Sequence, residues 1–313
     1  MKKYIWGIFY GILLTSFTVF VLLDTFVITR VYTAVPNSDN SNSRTTSGYD
    51  SGEKDDAVSD NTSISEPQSA VITANSYKDD NISITITEYR ENDTTIYVAD
   101  VQLSSAEYLK TALAYGAYGK NVTEKTSEIA KENNAILAIN GDYYGSQEKG
   151  YVLRNGVLYR DVASSSQEDL VIYQNGSFEI ITEENVSADS LLSGGAQQTL
   201  SFGPALVVNG EISVTENEEV GKAKASNPRT AIGIVDELHY LLVVSDGRTS
   251  ESEGLSLYEL AGFMQSLGAS VAYNLDGGGS STLYFNGEGV NNPTTNGRSI
   301  KERSVSDIVY IGY

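Results

Sequence analysis

Residues 256–282 constrain this chain more than any other stretch, because a helix signal, a buried-strand signal and the run NLDGGGSST follow one another without a gap. Ser256 and Glu259 have the S-x-x-E spacing of a capping box, which predicts a helix starting near Leu257. Leu257, Leu260, Ala261, Met264 and Leu267 recur at helical spacing, and Gly268 suits the position just past the helix end. Residues 269–275 read as a mostly buried strand. Asp276 then falls at the strand's C-terminal end, where sheets with packed helices commonly place ligand sites. Gly277, Gly278 and Gly279 let the backbone bend sharply and approach a ligand, and Ser280, Ser281 and Thr282 add side-chain donors. A flexible hairpin loop accounts for one or two glycines. Three of them between an aspartate and three hydroxyls point to a polar or anionic group held against the backbone.

A second copy of this design lies upstream. Residues 125–134 read as a short helix and 135–139 as a buried strand, followed by Asn140-Gly141-Asp142. Both units deliver N-x-D at a strand tip, and read as a pseudo-repeat they bring two Asn/Asp pairs to one end of a sheet. Residues 230–235 and 239–244 read as a hairpin, which makes Arg229, at the entry of one strand, and Arg248, at the exit of the other, neighbours. Each arginine alone is an ordinary surface charge. Two beside Asp246 at the open end of a hairpin suit an anion site. Arg303, just before the last strand, is a third candidate. Asn155-Gly156, Asn175-Gly176 and Asn209-Gly210 each separate short apolar alternations, the signature of tight hairpins. The expected fold is therefore α+β: a large mixed or mainly antiparallel sheet with two or three packed helices.

NGDYY (140–144), NPRTAIG (227–233), SDGR (245–248), NLDGGGSST (274–282) and RSVSDIVYI (303–311) occur in the order seen in the phosphodiester glycosidase family, and the chain resembles that family over roughly residues 105–313. Its animal members remove N-acetylglucosamine from a sugar-1-phosphodiester, and bacterial members are associated with exopolysaccharide. The resemblance implies hydrolysis of the bond between a sugar and a phosphodiester. Two features depart from the pattern: Tyr143 and Tyr144 stand where phenylalanines are common, and the cysteine-rich modules of the animal enzymes are missing, so substrate identity does not carry over.

The N-terminus bears on the compartment. Residues 4–23 carry no charge and follow Lys2 and Lys3; twenty helical residues span roughly 30 Å, the thickness of a bilayer's hydrocarbon core. The lysines favour a cytoplasmic N-terminus, which puts the rest of the chain outside. The reading is a retained signal anchor within residues 1–30, with a cleaved signal peptide as its rival. Residues 31–80 follow as a polar acidic linker; between 36 and 80 there are nine acidic and three basic side chains and little to bury, which suits a disordered spacer holding residues 81–313 off the membrane. The absence of cysteine excludes disulfides and thiol nucleophiles. A formal net charge of −20 argues against nucleic acid as partner; a phosphorylated carbohydrate or cell-wall glycan needs only the local cations. The single histidine, His239, sits at a hairpin turn, which speaks against a Ser-His-Asp triad.

The chemistry suits this inventory. An ordinary glycoside needs a strong general acid, because an alkoxide leaves badly. A sugar-1-phosphodiester releases a phosphate monoester whose second pKa is about 6, which needs charge stabilisation more than a proton. Asp276 and Asp246 are the expected reactive carboxylates, with Asp142 in reserve. Arg229, Arg248 and Arg303 would bind phosphate, with Asn140, Thr230, Gly277, Gly278, Gly279, Ser280 and Ser281 positioning it. No cofactor is required by this scheme. The same Asp/Asn set also suits Ca²⁺ or Mg²⁺ and metal-assisted P–O cleavage, and a wall-polymer binding module without catalysis is the third reading.

Overall fold

The computed structural model describes residues 2–35, 70–220 and 226–313. Helix α1 (Lys2–Phe26) opens the chain, and Trp6–Phe26 is long and apolar enough to cross a membrane, with a mean hydropathy of 2.0. Three further helices pack on the sheets: α2 (Thr126–Glu132), α3 (Ala188–Ser193) and α4 (Leu257–Ser266). Every strand pairing is antiparallel among the described residues. The expected α+β class with a large antiparallel sheet is thus what the chain adopts.

Alternation along one strand shows how the layers form. In Thr94–Leu103, Ile96 and Val98 point to the side covered by α4, while Tyr97, Ala99 and Val101 point to the opposite core. Successive strand side chains face opposite ways, so an apolar run of this kind buries both faces. This strand lies near the middle of a nine-stranded sheet that also holds the hairpin Arg229–Asp236 and His239–Ser245 and the strand Val271–Asn274. A five-stranded sheet, with Leu137–Asn140 at its centre beside Asp307–Ile311, closes the main core from below. On its far side α2 contributes Ile129 and Ala130, which pack with Ala138, Ile308 and Tyr310. The order α4, large sheet, smaller sheet, α2 gives four layers around two sheets.

The turns follow the sequence. Asn155-Gly156 and Asn209-Gly210 both adopt positive φ, as a two-residue hairpin of the I′ type demands, and Asn175-Gly176 joins Glu168–Tyr173 to Phe178–Thr182. Helix α4 starts where the capping box puts it. Ser256 Oγ accepts from Glu259 N at 3.1 Å, and Glu259 Oε2 accepts from Ser256 N at 2.8 Å. The helix buries Leu257, Leu260, Phe263 and Met264 against the sheet, each contributing about 1.5–3 kcal/mol of apolar burial.

Two expectations need correction. The tips bearing Asn140 and Asn274 do not belong to one sheet: they end strands of the two facing sheets. The interval 31–80 is also not a linker throughout. Arg30–Val31 pairs with Gly119–Lys120, and Val35 N donates to the Leu158 carbonyl at 2.8 Å. At the other end, Val71–Ile72 and Ser76–Lys78 form the edge of the nine-stranded sheet. Residues 36–69, which carry most of the expected spacer, lie outside the described residues.

Replacing Ser256 with Ala should remove the hydroxyl's bonds to Glu259 N and Glu259 Oε2, leave the backbone 256 N–H bond in place, and cost about 1 kcal/mol, a fall in Tm of about 2–4 °C for a domain of this size. Thermal unfolding of the two proteins side by side measures it; an unchanged Tm would mean that sheet packing alone fixes the start of α4.

Candidate functional site

The two strand tips meet. Asn140 Nδ2 donates to the Asp276 carbonyl at 2.6 Å, and Asp276 N donates back to the Gly141 carbonyl at 3.2 Å. Asn140 Oδ1 accepts from the Thr230 hydroxyl at 2.9 Å and from Thr282 N at 3.2 Å. Asn140 and Thr230 are fully buried, so both serve to lock three strand ends together and neither presents a group to solvent.

Each glycine after Asp276 is matched by a close approach within the protein. A Cβ at Gly277 would stand 2.8 Å from the Pro228 carbonyl oxygen, one at Gly279 would stand 2.3 Å from Thr295 Oγ1, and Gly278 has φ +62° with Arg248 Nη2 2.8 Å from the position of a Cβ. The N–H groups of Gly278, Ser280 and Ser281 already donate to carbonyls of Pro228, Gly277 and Gly278. In this conformation the loop holds side chains. Ser280 Oγ donates to Asp276 Oδ2 at 2.6 Å and accepts from Arg303 Nε at 2.8 Å. Arg303 Nη2 contacts Asp276 Oδ2 at 2.8 Å and Oδ1 at 3.1 Å.

Three arginines gather here. Arg303 is 40% exposed and leans on Asp276. Arg248, exposed and held at φ 63°, donates to Asn227 Oδ1 at 2.9 Å and to the Thr295 carbonyl at 2.6 Å. Both partners are neutral oxygens. Partial burial, then the charges of Arg303 and Arg229, push the Arg248 pKa down; an anion is the natural relief for such a cluster. Arg229 lies deeper, with Nη2 2.6 Å from Glu219 and Nε donating to the Leu255 carbonyl.

The carboxylates differ in availability. Asp276 is 11% exposed at its side chain, and burial raises its pKa, with the charge of Asp142 adding to that and Arg303 and Ser280 opposing. Its Oδ1 takes only the longer Arg303 bond. Asp246 accepts from Asn291 Nδ2 at 3.2 Å, Asn292 N at 2.8 Å and Asn292 Nδ2 at 3.1 Å. Asn291 Nδ2 also donates to the Ser281 carbonyl, which couples the Asp246 loop to the glycine loop. Burial and the charge of Asp246 push Tyr97 up to about 12.

Asp142 sits behind this layer, fully buried. Its Oδ2 accepts from Arg154 Nη2 and Ser201 N, both at 2.8 Å, and Oδ1 accepts from Tyr144 N at 3.0 Å. Arg154 Nε also donates to Asp307 Oδ2 at 2.9 Å. No face of Asp142 is open to a substrate here. Arg154, Asp307, Asn227, Asn291 and Asn292 are absent from the residues expected at the site. Asn291-Asn292-Pro293 is a polar turn signal that could have been followed; Arg154 reads in sequence as an ordinary hairpin residue. Among the described residues no group of three His, Cys, Asp or Glu side chains is placed to hold a metal ion.

The family model for phosphodiester glycosidase matches residues 133–312, which span Asp142, Arg229, Asp246, Arg248, Asp276 and Arg303. The chain belongs to the phosphodiester glycosidase family. It is similar to the SPbeta prophage-derived uncharacterized protein YomE of Bacillus subtilis, 29% identical over 201 residues that cover 63% of this chain and 31% of that one. It is also similar to the mouse N-acetylglucosamine-1-phosphodiester alpha-N-acetylglucosaminidase, 36% identical over 102 residues covering 29% and 20%. The matches therefore span about a third and a fifth of these relatives. In fold it is similar to the zebrafish N-acetylglucosamine-1-phosphodiester alpha-N-acetylglucosaminidase catalytic domain auto-inhibited by pro-peptide (TM-score 0.60, 22% identity, 79% of this chain and 88% of that one). A hypothetical protein from Synechocystis shares the fold at TM-score 0.53 and 14% identity, over 74% and 62%.

Behind the site of this phosphodiester glycosidase family member, a second buried carboxylate adjoins the Asp142 network. Asp169 is fully buried and neither of its oxygens accepts a hydrogen bond of ordinary geometry; Glu183 and Ser201 are its polar neighbours. Burial, and then the charge of Glu183, raise its pKa well above the usual carboxylate range.

Two expectations follow. Arg154→Met should leave Asp142 and Asp307 buried without their cation, a loss of about 3–5 kcal/mol, read as a large fall in Tm or failure to accumulate soluble protein; a Tm within 2 °C of the parent, roughly 1 kcal/mol or less, would show the ion cluster to be dispensable. Asp169 keeps its proton in the folded state after the unfolded chain has lost it near pH 4, so its stabilisation is complete below that pH and fades as pH rises through the raised folded value. Asp169→Asn cannot titrate. Its Tm should fall less between pH 4.5 and 8 than the parent's; parallel profiles would show that the folded-state pKa of Asp169 is not raised.

Proposed function

We propose that this protein is a hydrolase that breaks the bond between a sugar and a phosphodiester at its anomeric carbon, held by α1 in a membrane with the domain facing outward to a cell-surface or exopolysaccharide glycan. One observation carries the chemistry: Arg248 and Arg303 flank the Asp276 loop, and Arg248 is exposed with only neutral oxygens as partners. In this reading the two guanidinium groups hold the phosphate. Their forks match its oxygens and strengthen as negative charge develops on the leaving group. Asp276 acts as the reacting carboxylate, base or nucleophile, through the less engaged Oδ1. Its raised pKa supports this, because a carboxylate stripped of solvent is a better base. Asp246 orders the facing loop through Asn291 and Asn292, and Asp142 acts from behind by fixing the tip on which Asp276 rests. The glycine run, Ser280 and Ser281 shape the cradle. The scheme asks for no cofactor, so activity should survive EDTA.

The test is hydrolysis of a soluble sugar-1-phosphodiester in ¹⁸O-water, where label in the sugar reports C–O cleavage and label in the phosphate reports P–O cleavage. Arg248→Lys keeps the charge and removes the planar fork. If the arginine acts on the departing phosphate, kcat should fall more than KM rises. The expected loss is about 1.5–3 kcal/mol, roughly ten- to hundredfold in rate, and smaller for aryl phosphates that leave easily. An unchanged kcat with only a raised KM would reduce Arg248 to uniform substrate binding, and label in the phosphate would move the reading to a phosphodiesterase.

A further inference from the structure

The end of α1 is built into the domain. Asn121 Nδ2 donates to the Thr25 and Ile28 carbonyls at 3.2 and 3.0 Å, satisfying acceptors that a helix end otherwise leaves open. Arg30 pairs with Asp24, and Arg30–Val31 then runs antiparallel to Gly119–Lys120. Tyr32 N donates to the Tyr118 carbonyl, and the Tyr32 and Tyr118 rings lie 5.8 Å apart. Between this strap and the domain is a cavity of about 330 Å³ lined by Arg30, Tyr32, Tyr118, Lys120, Tyr159 and Arg160. One acid, Glu148, also lines it, 3.6 Å from Lys120. Arg160 is 9% exposed, and its guanidinium is bound to carbonyl oxygens of Tyr144, Gln147 and Gly150, while Nη2 has no hydrogen-bond partner.

We propose that this cavity binds the phosphate of an anionic membrane lipid and seats the domain on the bilayer surface. The inference rests on the reading of α1 as an outward-facing membrane helix, and three observations carry it further. First is depth: the apolar span ends at Phe26, and Arg30, four residues on at the start of a strand, pairs back to Asp24 in the last turn of α1, so the cavity opens at the end of the span, where a headgroup layer of roughly 5–8 Å borders the hydrocarbon. Second is charge: three cations and one acid line the cavity, and with Asp24 paired to Arg30 and Glu148 near Lys120 a net positive charge remains, in a chain whose formal net charge is −20. Third is lining: tyrosine rings with polar tips are the side chains that settle at a membrane interface, and Nη2 of Arg160 is a buried donor beside the Tyr118 hydroxyl with no acceptor at ordinary hydrogen-bond geometry. The domain is thereby held against the lipid with no spacer beneath it.

The full chain, purified in detergent with α1 intact, is offered phosphatidylglycerol and phosphatidylcholine in equal amounts, and retained lipid is read by native mass spectrometry. Phosphatidylglycerol should be preferred, and the paired Arg30→Gln and Lys120→Gln variant should lose about fivefold in that preference per cation removed. Arg160→Gln should lose it as well; if that variant does not fold, the rim pair decides. Equal retention of both lipids, or a preference untouched in the rim pair, overturns the proposal. So does a rise in Tm from millimolar inorganic phosphate, without lipid, that the rim pair abolishes, which marks this cavity as a site for a free anion. Cleavage of a soluble sugar-1-phosphodiester, measured on the same samples, should be unchanged in the rim pair. In the parent protein, cleavage without lipid preference refutes the seat alone, and lipid preference without cleavage refutes the hydrolase alone.

Discussion

The guanidinium of Arg154 is the fixed point of this fold. It lies between the carboxylates of Asp142 and Asp307, with all three side chains at most 2% exposed. Asp142 follows the central strand of the five-stranded sheet and Asp307 begins its neighbour, while Arg154 arrives from a separate hairpin and Ser201 N from a third sheet. Taking such charges out of water is costly, and only near-complete hydrogen bonding offsets it. The arrangement is therefore demanding about geometry, and that demand passes on to Gly141, whose carbonyl receives Asp276 N. The candidate site stands on this one bond between facing sheets and on the Asn140 bond beside it.

Local signals in the sequence were reliable wherever local chemistry decides the outcome. The S-x-x-E box set the start of α4, Asn-Gly pairs set the hairpins, and the alternation in 229–245 put Arg229 opposite Ser245 and Arg248 just beyond the strand end. Those spacings are enforced by backbone geometry within a few residues. The site was legible as a set of strand ends, because glycines, prolines and charges cluster where strands stop.

What stayed hidden depends on contacts between distant segments. Two N-x-D tips look alike in sequence, yet Asp276 is partly reachable and Asp142 is sealed, because Arg154 and Ser201 cover one and Arg303 flanks the other. Nothing local to NGDYY announces a cation twelve residues later in another hairpin. The polar composition of 31–80 suggested a spacer, but pairing of Arg30–Val31 with Gly119–Lys120 is a tertiary choice that composition cannot report.

Arg248 illustrates what a rigid cradle implies for an unliganded protein. Its backbone is pinned at positive φ with Gly297 against its carbonyl, and its guanidinium is tied to Asn227 Oδ1 and the Thr295 carbonyl, which holds it near Arg303 and Arg229. Arg303 and Arg229 have Asp276 and Glu219 as counter-charges, whereas Arg248 has neutral partners, and an anion in the cradle supplies the charge it lacks. Binding and folding are then linked through one residue: an anion that occupies the cradle adds to the stability of the whole domain by mass action, and the empty protein is the form nearest to its unfolding limit.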